Sequence, residues 1–320
     1  MVSIVAGGGG FIGSNLIESL LLESNHIVII DNFSRGHLNF LNKYPQNRVH
    51  IISADLSFAD QCMAAFNEAA YYGQIKEVWH LAANSDIPAG VKDPRIDLND
   101  TFMTSFNILV SMKQCGIQIL HFASSSAIYG DLGSQLLHED IGPLFPISNY
   151  GAMKLASEAQ IYAAGEAFLS RINIFRFPNV VGVPATHGVI LDFINKLINT
   201  PSSLQVLGDG TQQKSYLHVS DLISAMLVIR GATPKKQIQV VNIGPLDEGV
   251  TVQWIAEQVV KRVCPGAKIS YGEGNKGWVG DVPKFNYSTK RLQSFGWAPK
   301  LNSAGAVELA IDEIALQLGR

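Results

Sequence analysis

Short apolar runs recur along the first half of the chain, with longer mixed stretches between them. Ser3–Ala6, His26–Ile30, Val49–Ser53, Val78–Ala82, Ile119–Ala123 and Ile172–Phe177 each predict a strand. Most show little polar alternation, the pattern of strands covered on both faces of a parallel sheet. The segments between them are long enough for crossover helices, and right-handed crossovers place helices on both faces. The expected class is α/β, a doubly wound parallel sheet. After about Pro178 the pattern loosens. Val189–Ile198 predicts an amphipathic helix, followed by a turn over 199–203. A second helix is expected to start near Ser220, capped by Ser220 or Asp221, and a third covers Thr251–Val263. The stretch 269–283, rich in glycine and aromatics, reads as loop. The expected organisation is a sheet domain over 1–178, with 216–243 returning to it. A smaller C-terminal lobe, mainly 179–320, would close over the end of the sheet.

Composition narrows the function classes. The chain has 320 residues, 47% hydrophobic and 16% charged, with a net charge of -3. It has no long basic tract, so no nucleic-acid partner is expected. The apolar N-terminus has no Lys or Arg before Arg35 and is interrupted by Gly7 to Gly10 and by Glu18. It therefore reads as strand, turn and helix within the fold rather than as a leader. No apolar stretch reaches membrane-spanning length. Cys62, Cys115 and Cys264 are scattered and form neither a metal-ligand pair nor a disulfide framework. A cytoplasmic location and no metal are expected.

Chemistry enters at the first turn. Gly7, Gly10 and Gly13 follow the first strand at GxxGxxG spacing, with Phe11 and Ile12 opening a helix. Such glycines allow a tight turn and close approach of a pyrophosphate, and the helix points its N-terminal amides at it. A glycine turn alone is weak evidence. Asp31 strengthens it by ending the second strand eighteen residues after Gly13, where a carboxylate accepts ribose hydroxyls and repels a 2′-phosphate. NAD is favoured over NADP, although Arg35 lies close enough to keep the question open. Asp55 and Leu56 end the third strand; Asp55 either stands in water or reaches the adenine amine. Leu81, Ala82 and Ala83 end the fourth, either beside the dinucleotide or as tight packing.

Tyr150 and Lys154 share one helix face at i, i+4 spacing. An ammonium near the phenol lowers its pKa and suits it to general acid–base work. About twenty residues earlier, Ser124, Ser125 and Ser126 end the fifth strand. Their hydroxyls either face a nicotinamide or form an ordinary polar turn.

Together these residues resemble the extended short-chain dehydrogenase/reductases, and among them the UDP-glucose 4-epimerase group. The likeness runs nearly the length of the chain, through Ala6 to Ser14, Ile30 to Gly36, His80 to Ala83, Ser124 to Gly130, Tyr150 to Lys154, Arg176 to Gly182, Leu207 to Thr211, Tyr216 to Asp221, Asn242 to Gly244 and Gly280 to Pro283. The resemblance implies a Rossmann-type sheet binding NAD, a nucleotide-diphosphate sugar as substrate and a homodimer built on the Tyr150 helix. It implies Tyr150 as base, Ser125 as its hydroxyl partner, and Lys154 binding the nicotinamide ribose. NAD would also contact Gly7, Gly10, Phe11, Ile12, Gly13, Asp31, Asn32, Asp55, Leu56, Leu81, Ala82, Ala83, Ser124 and Phe177. Substrate would meet Ser125, Ser126, Asn179, Val189, Leu207, Lys214, Trp278 and Asp281.

The dehydratase branch carries an acidic pair where this chain has Ser126 and Ala127, neither able to protonate a leaving hydroxyl. Oxidation at a sugar carbon remains. Hydride return to the other face gives a 4-epimerase; release of the keto-sugar gives a C4 dehydrogenase or oxidase. A turnover-free NAD(H) sensor is the third reading, opposed by the intact Ser125, Tyr150 and Lys154. Four departures cluster on the substrate side. Lys214 and Trp278 stand where arginines are usual, Thr101 where an Asn near the nicotinamide is expected, and Gly188 where many epimerases carry a substrate-binding Asn. Lys214 keeps charge without the bidentate fork. Trp278 either stacks on a base or sugar or covers the lobe. Asn84, Ser85 and Asp86 follow the fourth strand and either meet the sugar or, for Asp86, cap a helix.

Overall fold

Val2–Ala6 (β1) is buried along its whole length, which requires a layer on each side and explains the missing polar alternation. The computed structural model describes residues 1–24, 26–133, 135–234, 236–274 and 286–320, with the Asn286 side chain left aside. β1 sits centrally in a seven-stranded sheet. The other strands are His26–Asp31 (β2), Val49–Ser53 (β3), Ile75–His80 (β4), Ile119–Ala123 (β5), Arg171–Arg176 (β6) and Ile238–Asn242 (β7). Their order is β7-β6-β5-β4-β1-β2-β3. Every pairing among the first six is parallel. The ends Ala6, Asp31, Ser53, His80, Ala123 and Arg176 therefore lie on one carboxyl edge, where open α/β sheets bind ligands. This is the Rossmann-type doubly wound fold.

Phe11–Leu20 (α1) buries Gly13, Leu16, Ile17 and Leu20, and Ala59–Ala70 (α2) buries Cys62, Ala65, Phe66 and Ala69. Both show the i, i+3, i+4, i+7 stripe of a helix lying on a core. Thr104–Gln114 (α3) and Asn149–Ala167 (α4) follow. Val2, Ile4 and Ala6 of β1 join Phe66, Ile108, Met112 and Ile161 in one hydrophobic core.

Ser3 and Val5 point to the opposite face, and there the sheet carries a buried polar ladder. Ser3 Oγ donates to Glu77 Oε1 at 2.9 Å. Glu77 Oε2 meets His121 Nε2 at 3.1 Å, and Asn173 Nδ2 lies 2.9 Å from His121 Nδ1. Asn173 can only donate through Nδ2, so His121 accepts at Nδ1 and donates from Nε2 as a neutral imidazole. Arg230 clamps Glu77 with Nε at 2.9 Å and Nη2 at 2.8 Å and also pairs with Glu23. These bonds hold the Glu77 carboxyl far below the usual carboxylate range against the opposing effect of burial.

The ladder explains why β4 begins at Ile75 rather than at the expected Val78. Charged Lys76 and Glu77 look like loop in sequence, yet Glu77 is 1% exposed because its charge is met inside.

The chain forms two compact units, 1–130 with 143–176 and 229–241, and 131–142 with 177–228 and 242–320. In the second, Val189–Asn199 (α5) buries Ile190, Phe193, Ile194 and Leu197. The next helix, Val219–Gly231 (α6), begins there and ends in the first unit. Val252–Val263 (α7), capped by Thr251 Oγ1 at 3.1 Å from Trp254 N, and Ser303–Gln317 (α8) complete the core with α5. Overlapping the stretch read as loop, Lys268–Tyr271 is instead a strand parallel to Ser203–Val206. Only Ile269 turns partly inward, so the strand comes from a long-range partner rather than its own pattern. Residues 275–283 of that stretch lie outside the described residues. Among the described residues no helix is long and apolar enough to cross a membrane.

Candidate active site

The glycine turn is built to receive a flat, charged group closely. Gly7 has φ 80°, and a Cβ placed there would lie 2.7 Å from the Ala82 backbone nitrogen. At Gly13 a Cβ would sit 2.4 Å from the Gly7 carbonyl oxygen, so glycine is what lets α1 start against the turn. Leu81 N–H donates to Ala6 O at 2.9 Å and Gly7 N–H to Ile30 O at 2.8 Å, which locks the ends of β1, β2 and β4 together. The α1 amides at Phe11 and Ile12 follow directly.

Gly7→Ala is expected to weaken NAD binding about tenfold or more, since left-handed backbone costs a side chain roughly 1–2 kcal/mol and the Cβ, 2.7 Å from the Ala82 nitrogen, pushes the turn out of the shape that meets the dinucleotide. Isothermal titration with NAD+ measures it; an unchanged Kd would remove Gly7 from the cradle.

Asp31 Oδ2 accepts from Gly9 N–H at 2.9 Å and Oδ1 from Phe33 N–H at 2.8 Å. Burial raises this carboxyl above its ordinary value, and the two backbone bonds oppose that. Each oxygen keeps a lone pair for a ribose hydroxyl, so the residues present fit a dinucleotide. Asn32 Nδ2 donates to Asp55 Oδ2 at 3.3 Å. Asp55 Oδ1 accepts from the Ser57 amide and hydroxyl at 3.0 and 2.7 Å. Leu56 is buried, its carbonyl bonded by Asn107 Nδ2 at 3.0 Å.

The hydroxyls of Ser124, Ser125 and Ser126 follow the end of β5. Ser148 caps α4 by accepting from Gly151 N–H at 3.1 Å, which fixes Tyr150 in the first turn. The Ser125 hydroxyl lies close enough to Tyr150 to ease its ionisation, and Ser125 Oγ accepts from Ala127 N–H at 3.1 Å. Lys154 is 2% exposed, and its Nζ donates to Ala123 O at 2.6 Å. It lies 4.7 Å from the Phe122 ring centroid and 5.9 Å from that of Tyr150.

The expected acidification of the phenol is absent. Burial pushes Tyr150 up to about 12; the Ser125 hydroxyl opposes this and the Asp97 charge adds to it. Burial also brings Lys154 down to about 7, against the pull of Glu158. A desolvated ammonium aimed at a carbonyl does little to stabilise a neighbouring phenolate.

The Ser124 hydroxyl is engaged within the protein: its Oγ donates to buried Glu158 Oε1 at 2.5 Å. Glu158 takes Arg176 Nη2 at 2.6 Å, and Arg176 Nη1 meets Tyr129 OH at 3.1 Å. The group braces α4 against β5 and β6. Ser126 is nearly buried in the short turn Ser126–Tyr129.

Asp97 is the residue that sequence reading missed. It is 0% exposed, and its Oδ1 accepts from Asn84 Nδ2 at 2.8 Å. Its Oδ2 has no hydrogen-bond donor among the described residues and packs so tightly on Gly90 that a Cβ there would lie 1.8 Å away. Asn149, next to Tyr150, donates Nδ2 to Gly90 O at 2.8 Å. Thr101 is buried in the π-helical stretch Leu98–Met103, its Oγ1 accepting from Asn84 N–H at 3.2 Å. Asp86 caps the helix Ile87–Lys92 by accepting from Ala89 N–H at 3.0 Å. Only burial, which does not show in a DPRIDLND stretch with three aspartates, marks Asp97.

Phe177, Asn179, Val189, Leu207 and Lys214 belong to the second unit. Asn179 and Leu207 are exposed, and Phe177, Val189 and Lys214 half-buried. Trp278 and Asp281 lie outside the described residues.

Comparison with known proteins agrees with this geometry. The model of the NAD dependent epimerase/dehydratase family matches residues 3–244. A UDP-glucose 4-epimerase of Corynebacterium glutamicum is 27% identical over 317 residues, covering 94% of this chain and 91% of that one. A crystal structure of a UDP-galactose 4-epimerase superposes with TM-score 0.86 at 32% identity, covering 99% of this chain and 100% of that one. The UDP-glucose 4-epimerase of Thermus thermophilus in complex with NAD gives TM-score 0.85 at 25% identity, covering 98% and 99%. With a glycine cradle at the end of β1 and, two strands along, Ser125 and Tyr150 beside a buried lysine, the chain belongs to the NAD-dependent epimerase/dehydratase family of enzymes, with NAD as its cofactor.

Proposed function

We propose that this enzyme is a UDP-sugar 4-epimerase. The observation that carries the reading is the neighbouring Ser125 and Tyr150 side chains, with Lys154 one helical turn on, at the carboxyl end of β5. The names of the relatives at 27% and 32% identity support the uridine nucleotide and the 4-position. NAD, when bound, supplies a reversible hydride acceptor. Tyr150 removes the proton of the sugar 4-hydroxyl as that carbon is oxidised and returns it when the keto group is reduced on the other face. Ser125 hydrogen-bonds the same sugar oxygen. Lys154 orients the nicotinamide ribose, and Ser126 and Ala127, lacking acidity, offer no route to dehydration.

Residues 1–178 serve NAD and 179–320 mainly the nucleotide sugar, through Asn179, Val189, Leu207, Lys214, Trp278 and Asp281, with Phe177 beside the nicotinamide. A cytoplasmic homodimer built on α3 and α4 completes the proposal. It is supported by Phe106 and Val110, 37% and 38% exposed at i, i+4 on α3, and by Tyr162, 45% exposed on α4. Light scattering is expected to give twice the 34.7 kDa chain mass.

Incubation with UDP-glucose or UDP-galactose is expected to interconvert them with no net NADH absorbance. Stoichiometric NADH with a released keto-sugar would establish the C4 dehydrogenase instead, and no change in either sugar would overturn both readings.

A further inference from the structure

The sheet order places β1 between β4 and β2, so the loops after β2 and β4 flank the glycine turn from either side. Arg35, in the first of these loops, reaches over to the second. Its Nη2 donates to Asp86 Oδ2 at 2.5 Å, with the two side chains 44% and 37% exposed. The Arg35 loop is pinned by His37 N–H on Gly9 O at 3.1 Å. Asp86 is fixed more firmly, by its own N–H on Asn84 Oδ1 at 2.8 Å and by its helix-capping bond to Ala89. The guanidinium is thereby drawn to the β4 side of the turn, away from the β3 side where Asn32 meets Asp55. At the end of β2 a ligand meets the Asp31 carboxylate, while the cation four residues on is turned to another acid.

We infer that Asp86 selects the cofactor: by holding Arg35 across the glycine turn, it withholds from a 2′-phosphate the guanidinium that would otherwise bind it, and so favours NAD over NADP. Arginine forks onto phosphate with paired, charge-assisted bonds, and a nearby Arg is how this fold accommodates NADP. Asp86 competes for that fork. Exposed ion pairs are weak, so the effect is a several-fold bias added to the repulsion from Asp31. The preference concerns the cofactor alone and holds whichever sugar is turned over.

The test is titration calorimetry of nucleotide-free protein with NAD+ and NADP+. Asp86→Asn keeps a capping side chain and removes the charge. The ratio Kd(NADP+)/Kd(NAD+) is expected to fall about fivefold in this variant, and to return to at least the starting value in the double variant Arg35→Ala, Asp86→Asn. Asp86→Ser, which also caps, is expected to behave alike and serves if the Asn variant folds poorly. An unchanged ratio in the single variants, or a gain that persists without Arg35, would overturn the assignment. The NAD+ titration of each variant reports separately that the cradle is intact, with no assay of sugar turnover.

Discussion

Tyr150→Phe is expected to lower the proposed epimerisation by about three orders of magnitude, within the range that a positioned acid–base group supplies. It should leave NAD binding in place. The variant loses a single buried hydroxyl beside Ser125, worth about 1 kcal/mol of stability or less, so kcat and fold should part clearly in the same preparation. Because burial holds the phenol up at about 12, the base form is scarce at neutral pH, and wild-type kcat should climb with pH. The Asp97 charge contributes to that elevation. Asp97→Asn, keeping an acceptor for Asn84, should therefore move the rising limb to lower pH. A Tyr150→Phe enzyme with wild-type turnover, or an Asp97→Asn profile that does not move, would break the link between this pair and the chemistry.

The largest stability effect should come from the other face of the sheet. Arg230→Met leaves Glu77, 1% exposed, without its cationic partner, and breaking a buried pair from one side costs about 3–5 kcal/mol. Adding Glu77→Gln removes the stranded charge and should recover part of that loss, giving a clear coupling in a double-mutant cycle. Urea denaturation of the four proteins measures it; additive losses would show that the two residues act separately. The pH dependence has a definite sign. Glu77 is depressed in the folded state relative to its ordinary value of 4.5. Its contribution is therefore complete above the ordinary carboxylate range and is lost as pH falls below it toward the folded value. The Arg230→Met protein should show a shallower decline in stability than wild type between about pH 5 and about pH 3.

Strands covered on both faces were readable because nothing in them had to face water. Ile119–Ala123 begins and ends in the structure where its apolar run does; so does Val49–Ser53, although as an edge strand it leaves Ile51 and Ser53 exposed. The same logic failed where a charge was neutralised inside, as at Glu77, and where pairing rather than pattern makes the strand, as at Lys268–Tyr271. In the site, spacing alone brought Gly7, Gly13 and Asp31 to one edge and Tyr150 and Lys154 to one helix face. Spacing does not carry rotamers, however. That Lys154 aims at the Ala123 carbonyl, that Ser124 serves Glu158, and that Arg35 crosses to Asp86 are outcomes of local competition for partners. Asp97 was illegible because its meaning is its burial, and nothing in a run of acidic residues says which one the fold encloses.

The ladder through Ser3, Glu77, His121, Asn173 and Arg230 also constrains how this sheet can change over generations. Each rung has one donor direction, set by its neighbour's, so a lone replacement strands the next member. A lineage that repaints this face with aliphatic side chains has to pass through intermediates less stable than either endpoint. Chimeras that exchange β4 or β5 with a homologue lacking the set should express poorly unless all five residues travel as a block.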